Sequence, residues 1–137
     1  MKILIDSNVI MDLLAKRDPW YKEAVEILKL TNGGKIDSYI SGSIVTDIHY
    51  LLHDRYKIPA EETKKLMRLL LDVFKVADVS GDDLYQAIDW PIGDYEDNLI
   101  DLIAQKNKID YIVTRDKDFK KAKSKVLSPI EFLEQFG

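Results

Sequence analysis

The chain has 137 residues and is 46% apolar, enough to build one compact domain around a single core. Its 24 acidic residues outnumber 20 basic ones for a formal charge of −4, so any contact with nucleic acid must rely on a local basic patch. The lack of cysteine excludes disulfide frameworks, thiolate zinc sites and thiol nucleophiles, and fits a reducing compartment.

At the N-terminus, Ile3-Leu4-Ile5 is an apolar run of three residues before Asp6, too short for a signal peptide or a membrane span. A soluble, cytoplasmic protein with no membrane partner is expected. No repeat, low-complexity segment or linker is visible, so residues 1–137 are expected to form one domain.

Ile3–Ile5 reads as a strand covered on both faces, and Asp6-Ser7-Asn8 then caps a helix carrying Val9, Ile10, Leu13 and Leu14. A second helix is expected from Pro19 to about Leu30, ended by Asn32-Gly33-Gly34, followed by a strand at Ser38–Ser41. From Ser43, the set Ile44, Ile48, Leu51 and Leu52 keeps a period near 3.6, and another helix follows Pro59 with Leu66, Leu69, Leu70 and Phe74. These two are expected to form a helical hairpin.

Short apolar runs at Phe74–Val79, Tyr111–Val113 and Lys125–Leu127 read as strands, separated by helices at Asp82–Ile88 and Tyr95–Asn107. Ser128-Pro129-Ile130-Glu131 carries the signature of a capping box with proline at the first helical position, opening a last helix. Strands alternating with helices predict an α/β fold: a three-layer α/β/α sandwich around a mainly parallel sheet of about five strands. In such sheets ligands bind outside the carboxyl ends of the strands.

Four groups of residues fall at those ends, and all are acidic. Asp6 follows the first strand, Asp47 lies one turn into the helix after the second, Asp94, Glu96 and Asp97 open the helix before the fourth, and Asp116 and Asp118 follow the fourth. Carboxylates gathered this way repel by roughly 4 kcal/mol per pair at about 4 Å in an effective dielectric of about 20. A hard divalent cation, Mg²⁺ or Mn²⁺, relieves the repulsion through oxygen ligands and supports hydrolysis of a phosphodiester.

Each acid also has a plain structural use. Asp6 and Asp94 are good helix caps, Asp47 suits an exposed helical turn, and acids in a first helical turn complement the helix dipole. Asp94, Asp97 and Asp101 share one helix face while Glu96 points about 100° away from Asp97, which ranks Asp97 first as a ligand, with Asp94 and Glu96 auxiliary. Asp116, nearer the strand end, ranks above Asp118, and Phe119 is expected to pack into the core.

In combination and order, Ile3-Leu4-Ile5-Asp6-Ser7-Asn8-Val9-Ile10, Asp94-Tyr95-Glu96-Asp97 and Ile112-Val113-Thr114-Arg115-Asp116-Lys117-Asp118-Phe119 resemble the signature blocks of PIN domains. The resemblance covers essentially the whole chain and is closest to the short VapC-like ribonuclease toxins of type II toxin–antitoxin pairs. It implies a Mg²⁺- or Mn²⁺-dependent ribonuclease with Asp6, Asp47, Asp97 and Asp116 as the four metal-site acids. Ser7, Asn8 and Thr114 would be supporting groups, and an antitoxin and a second copy of the chain would be partners.

Three departures from the pattern stand out. Asp47 occupies a position where glutamate is usual, so it would act through water; Asn98 stands where alanine is frequent; and the last block is one residue short, leaving Asp116 and Asp118 as alternatives for the fourth acid. Beside it, Arg115, Lys117, Lys120 and Lys121, with Lys123 and Lys125, offer a basic segment for RNA, although such a run also suits a solvated surface.

His49 and His53 are four apart, but Tyr50 stands where a zinc peptidase needs glutamate. Trp20 and Trp90 read as core or interface anchors without chemistry. Two rival functions remain: an aspartyl-phosphate type phosphatase, which would want an acid in place of Asn8, and a non-catalytic PIN-like protein-binding module.

Overall fold

The computed structural model describes all 137 residues and shows a five-stranded, all-parallel sheet between layers of helices. The strands are β1 (Lys2–Ile5), β2 (Asp37–Ser41), β3 (Lys75–Ala77), β4 (Tyr111–Val113) and β5 (Val126–Leu127), in the spatial order β3-β2-β1-β4-β5. The helices are α1 (Ser7–Leu14), α2 (Tyr21–Asn32), α3 (Val45–Tyr50), α4 (Ala60–Val73), α5 (Gly81–Gln86), α6 (Tyr95–Lys106) and α7 (Pro129–Phe136). No helix is long and apolar enough to cross a membrane.

Consecutive strand side chains point to opposite faces, so a central strand covered on both sides must be apolar throughout. Ile3, Leu4 and Ile5 of β1 are 0, 0 and 1% exposed, with Leu4 in register with Tyr39 on one side and Ile112 on the other. Helices α1, α2 and α7 pack in succession, while α6 lies against α5 and β4.

Two differences from the sequence expectations have local causes, and the exposure of Trp20 excludes only the core half of its reading. The helix expected from Ser43 onward is a 3₁₀ turn at Gly42–Ile44, then α3, then a π turn at Leu51–Arg55. That wider turn closes with Tyr56 N–H donating to Leu51 O at 2.9 Å, ending the helix ahead of Pro59 while Ile48 and Leu52 both stay fully buried. Phe74 belongs to the end of α4, its N–H donating to Leu70 O, which shortens β3 to Lys75–Ala77. Trp20, expected in a core or interface, is 40% exposed.

Strand order reverses between β1 and β4: β2 and β3 extend the sheet to one side of β1, and β4 and β5 to the other. A crevice opens at such a reversal, at the carboxyl ends of the two strands, and there the chain places Asp6 and the Thr114–Asp118 segment.

Candidate active site

Asp6 leaves β1 with its N–H donating to Val113 O at 3.0 Å, so the backbone pairing of β1 with β4 continues into the site. Its carboxylate caps α1, with Oδ1 accepting from Ser7 N–H at 2.8 Å, while Oδ2 accepts from the Thr114 hydroxyl at 2.7 Å and from Asn8 Nδ2 at 3.3 Å. Thr114 Oγ1 also accepts from Asn8 Nδ2 at 3.1 Å and from Asp116 N–H at 3.0 Å. One buried hydroxyl therefore ties the first acid to the loop that carries the fourth.

That loop is held at two further points. Arg115 N–H donates to Asn8 Oδ1 at 3.2 Å, and Asp118 N–H donates to Asp116 Oδ1 at 2.8 Å. Asp116 lines the cleft and is half-buried, whereas Asp118 is exposed and absent from the lining. Phe119 turns inward and is 4% exposed.

On the opposite wall, Asp94 caps α6, its Oδ1 accepting from Asp97 N–H at 3.0 Å. The turn before it needs φ = +100° at Gly93, a conformation that glycine adopts without cost, and Gly93 N–H donates to Asn98 Oδ1 at 3.0 Å. Asn98 is buried, and its Nδ2 donates to Ala87 O at 2.9 Å, so the position where alanine is frequent acts here as a brace for the α6 N-terminus. Asp101 shares a helix face with Asp97 but takes no part in the cleft. It is fully buried and accepts from Trp90 Nε1, Lys123 N–H and Ser124 N–H.

The cleft, of about 370 Å³, is lined by Asp6, Ser7, Asn8, Ser43, Asp47, Tyr95, Glu96, Asp97 and Asp116 among others, and no lysine, arginine or histidine lines it. Asp47 and Glu96 reach it from exposed positions. Asp94, Asp118, Thr114 and the lysines do not line it, although Asp94 acts on it electrostatically. Sequence reading passed over Ser43 and Tyr95; an aromatic residue in a first helical turn and a serine after a strand have no spacing that marks them.

The electrostatics follow from crowding. Burial raises the Asp6 carboxyl above its ordinary value, against the lowering effect of its hydrogen bonds from Thr114 and Ser7, with the charges of Asp116 and Asp94 adding to the rise. Asp97 is pushed up to about 7, first by desolvation and then by the charges of Asp116, Asp94 and Asp6, with a hydrogen bond to Asp116 favouring its protonated form. No three acids or histidines are already converged so as to enclose a metal ion. The donor set is hard oxygen, and its repulsion has no protein cation to relieve it, so these residues fit a hard divalent cation.

The basic segment divides. Arg115 is paired rather than free: its Nε and Nη2 donate to Asp12 Oδ2 and Oδ1 at 2.7 and 2.9 Å, and its guanidinium stacks 3.8 Å from the centre of the Trp20 ring. Its charge is thus already matched within the chain, while the side chain stays part-exposed. Lys117, Lys120 and Lys121 remain exposed, and a groove lined by Thr114, Asp116, Lys117 and Lys120 runs on from the acidic cleft through Asp116. His49 and His53 sit 6.2 Å apart, with His53 Nδ1 bonded to Ile58 O.

Asp12 had no sequence signal beyond standing four residues after Asn8 on α1, yet it anchors the region. It is 1% exposed and also accepts from Arg17 Nε at 2.9 Å, while Arg17 Nη2 donates to Asn8 O at 2.8 Å. Asp12→Asn is expected to cost about 2–3 kcal/mol in urea unfolding, less than a fully buried pair because both arginines keep about a quarter of their exposure. An unchanged midpoint would show that the network carries no stability.

Residues 2–118 match the family model of the PIN domain. The chain belongs to the PIN domain family. The matched span of this PIN domain includes all four acidic groups and ends before β5 and α7. Among curated relatives, Ribonuclease VapC1 of Aquifex aeolicus (strain VF5) is 25% identical over 141 residues, an alignment covering 99% of this chain and 96% of that protein. Among solved structures, the PIN domain is similar to VapC20 of Mycobacterium tuberculosis, described as a Sarcin-Ricin loop cleaving toxin, with a TM-score of 0.70 and 19% identity over 89% of this chain and 95% of that one. It is also similar to a toxin-antitoxin complex from Klebsiella pneumoniae, with a TM-score of 0.67 and 21% identity over 93% of this chain and 97% of that one. At these identities the structures attest to a shared fold.

Proposed function

We propose that residues 1–137 form a single PIN domain that hydrolyses RNA phosphodiester bonds with Mg²⁺ or Mn²⁺, as the toxin of a toxin–antitoxin pair acting in the cytoplasm. The observation that carries this reading is the meeting of Asp6, Asp97 and Asp116, from three distant stretches of chain, on one cleft without a basic residue in its lining. The VapC1 relative supports the ribonuclease reading, and the toxin-antitoxin complex supports an antitoxin as partner. A homodimer belongs to the same proposal.

Asp6, Asp97 and Asp116 would hold the ion, and Asp47, shorter than the usual glutamate, would reach it through water. When bound there, a divalent ion supplies Lewis acidity and neutralises charge developing on the phosphate during attack by water. Thr114 and Asn8 keep the Asp6 carboxylate fixed, and Ser7 N–H holds its other oxygen, so little reorganisation is needed at that ligand. Asp94 fixes the first turn of α6 and hence Asp97, with Glu96 as a further acid at the cleft mouth and Asp118 outside it. Lys117, Lys120 and Lys121 attract the RNA backbone toward the groove beside Asp116.

Structured and unstructured labelled RNAs incubated with Mg²⁺, Mn²⁺ or EDTA test the reading. Cutting with either ion and none with EDTA is expected. Phosphate release from small monoesters without RNA cutting would replace it with a phosphatase, and inertness toward both substrates in every metal would leave a protein-binding module.

A further inference from the structure

Beyond Asp116 the surface opens into a second groove, of about 310 Å³, lined by Trp20, Glu23, Arg115, Lys117, Ser128, Pro129 and Ile130. It shares Arg115, Lys117 and Ser128 with the groove that runs from the acidic cleft, so one continuous path joins the two sites. Three features of this path bear on what it binds.

The first is a prepared stacking surface. Asp12 fixes the Arg115 guanidinium through two hydrogen bonds, and the plane lies over the Trp20 indole, yet Trp20 is 40% exposed and Arg115 half-buried, so the stack ends at the groove wall. Indole and guanidinium planes are what unpaired bases stack on. The second is Glu23, a part-exposed residue in the groove wall, whose Oε2 is turned in against the protein and is the one buried side-chain polar atom in the chain with no hydrogen-bond partner. An acceptor left this way costs stability unless something brings it a donor. The third is charge: Lys117 stands at the junction of the two grooves, placed for a backbone phosphate next to the base.

We infer that this groove is a nucleobase subsite, in which an unpaired base of the RNA stacks on Trp20 and Arg115 and donates to the Glu23 carboxylate. This rests on the ribonuclease reading and deepens it. Guanine is the base selected, because its N1–H and N2–H₂ offer adjacent donors along one edge to a carboxylate, which takes both through a small rotation. Adenine and uracil lack that pair, and cytosine offers N4–H₂ alone. Arg115 thus meets RNA through its flat face, its charge being already matched by Asp12.

Two measurements test this separately from the cleavage reading. In EDTA, short oligoguanylate, oligoadenylate, oligocytidylate and oligouridylate strands are titrated against wild type, Glu23→Gln and Trp20→Ala by fluorescence anisotropy. Oligoguanylate is expected to bind roughly tenfold tighter than the other three, Glu23→Gln to erase that margin, and Trp20→Ala to weaken all four together. In the presence of Mn²⁺, the same variants cut a mixed-sequence RNA. Wild type is expected to favour sites at a fixed spacing from a guanine, and Glu23→Gln to cut with that bias lost.

Cutting by wild type with a base bias identical in Glu23→Gln would overturn the subsite and leave the ribonuclease intact. Absence of cutting together with absence of guanine preference would overturn both. A wild-type groove that ignores all four strands but binds a protein partner, with Trp20→Ala abolishing that binding, would reassign it to a peptide. Equal melting temperatures of wild type and Glu23→Gln keep a folding defect out of the comparison.

Discussion

Asp97→Asn is expected to lower metal-dependent RNA cleavage by roughly 10²–10³-fold while raising the melting temperature of the metal-free protein at pH 8. The two effects have one origin. Asp97 is the acid whose charge the folded state tolerates least, crowded by Asp116, Asp94 and Asp6 and lifted to about 7. Asparagine keeps the shape, removes the repulsion and removes the ligand. Because Asp97 is only part-buried, water screens the repulsion, and the gain is about 1 kcal/mol, or roughly 3–5 °C for a chain of this size.

The sign with pH is fixed by linkage. A carboxyl raised from 3.8 to about 7 on folding binds more protons in the native than in the unfolded state across that window. Stability contributed by the proton is therefore present at low pH, declines between about pH 4 and 7, and is gone above it. The melting-temperature gap between Asp97→Asn and wild type should widen over that interval and stay level from pH 7.5 to 9. A variant less stable than wild type at pH 8, or as active with Mn²⁺, would remove Asp97 from the site.

The second large effect is stabilisation by the ion itself. At a free concentration of Mn²⁺ one hundred times its dissociation constant, linkage gives about 2.7 kcal/mol. Ion entry must displace the proton on Asp97, so apparent affinity should fall about tenfold per pH unit below 7. Melting curves at a fixed Mn²⁺ concentration are expected to show a clear upward shift at pH 8 and only about a third of it at pH 5.5. Ca²⁺, which prefers a larger and more flexible oxygen shell, should shift the curve less. An equal shift at both pH values would mean the ion binds elsewhere.

Periodicity carried the alternation of strands and helices because Ile3–Ile5 of β1 and Ile112–Val113 of β4 are buried apolar runs and the last two helices open on side-chain caps. Asp94 and Ser128 open α6 and α7 at the residues where the sequence places them. The π turn at Leu51–Arg55 was hidden, since its apolar residues keep a nearly helical period and only the approach to Pro59 forces the wider turn. The acids of the cleft could be proposed from strand ends alone, because a parallel sheet aligns those ends. Asp12 and Trp20 could not: both owe their surroundings to Arg115, about a hundred positions away, and no local pattern reports such a meeting. The burial of Asp101 was unmarked for a related reason, since sharing a helix face with Asp97 says nothing about which loop covers that face.

The hydrogen bond from Thr114 to Asp6 joins residues 108 positions apart. During synthesis, Asp6 emerges from the ribosome 108 residues ahead of Thr114. Until β4 docks beside β1, neither the Asp116 loop nor the hydroxyl that steadies Asp6 is in place. On the ribonuclease reading proposed above, a chain that ends before β4 is expected to be inert toward RNA.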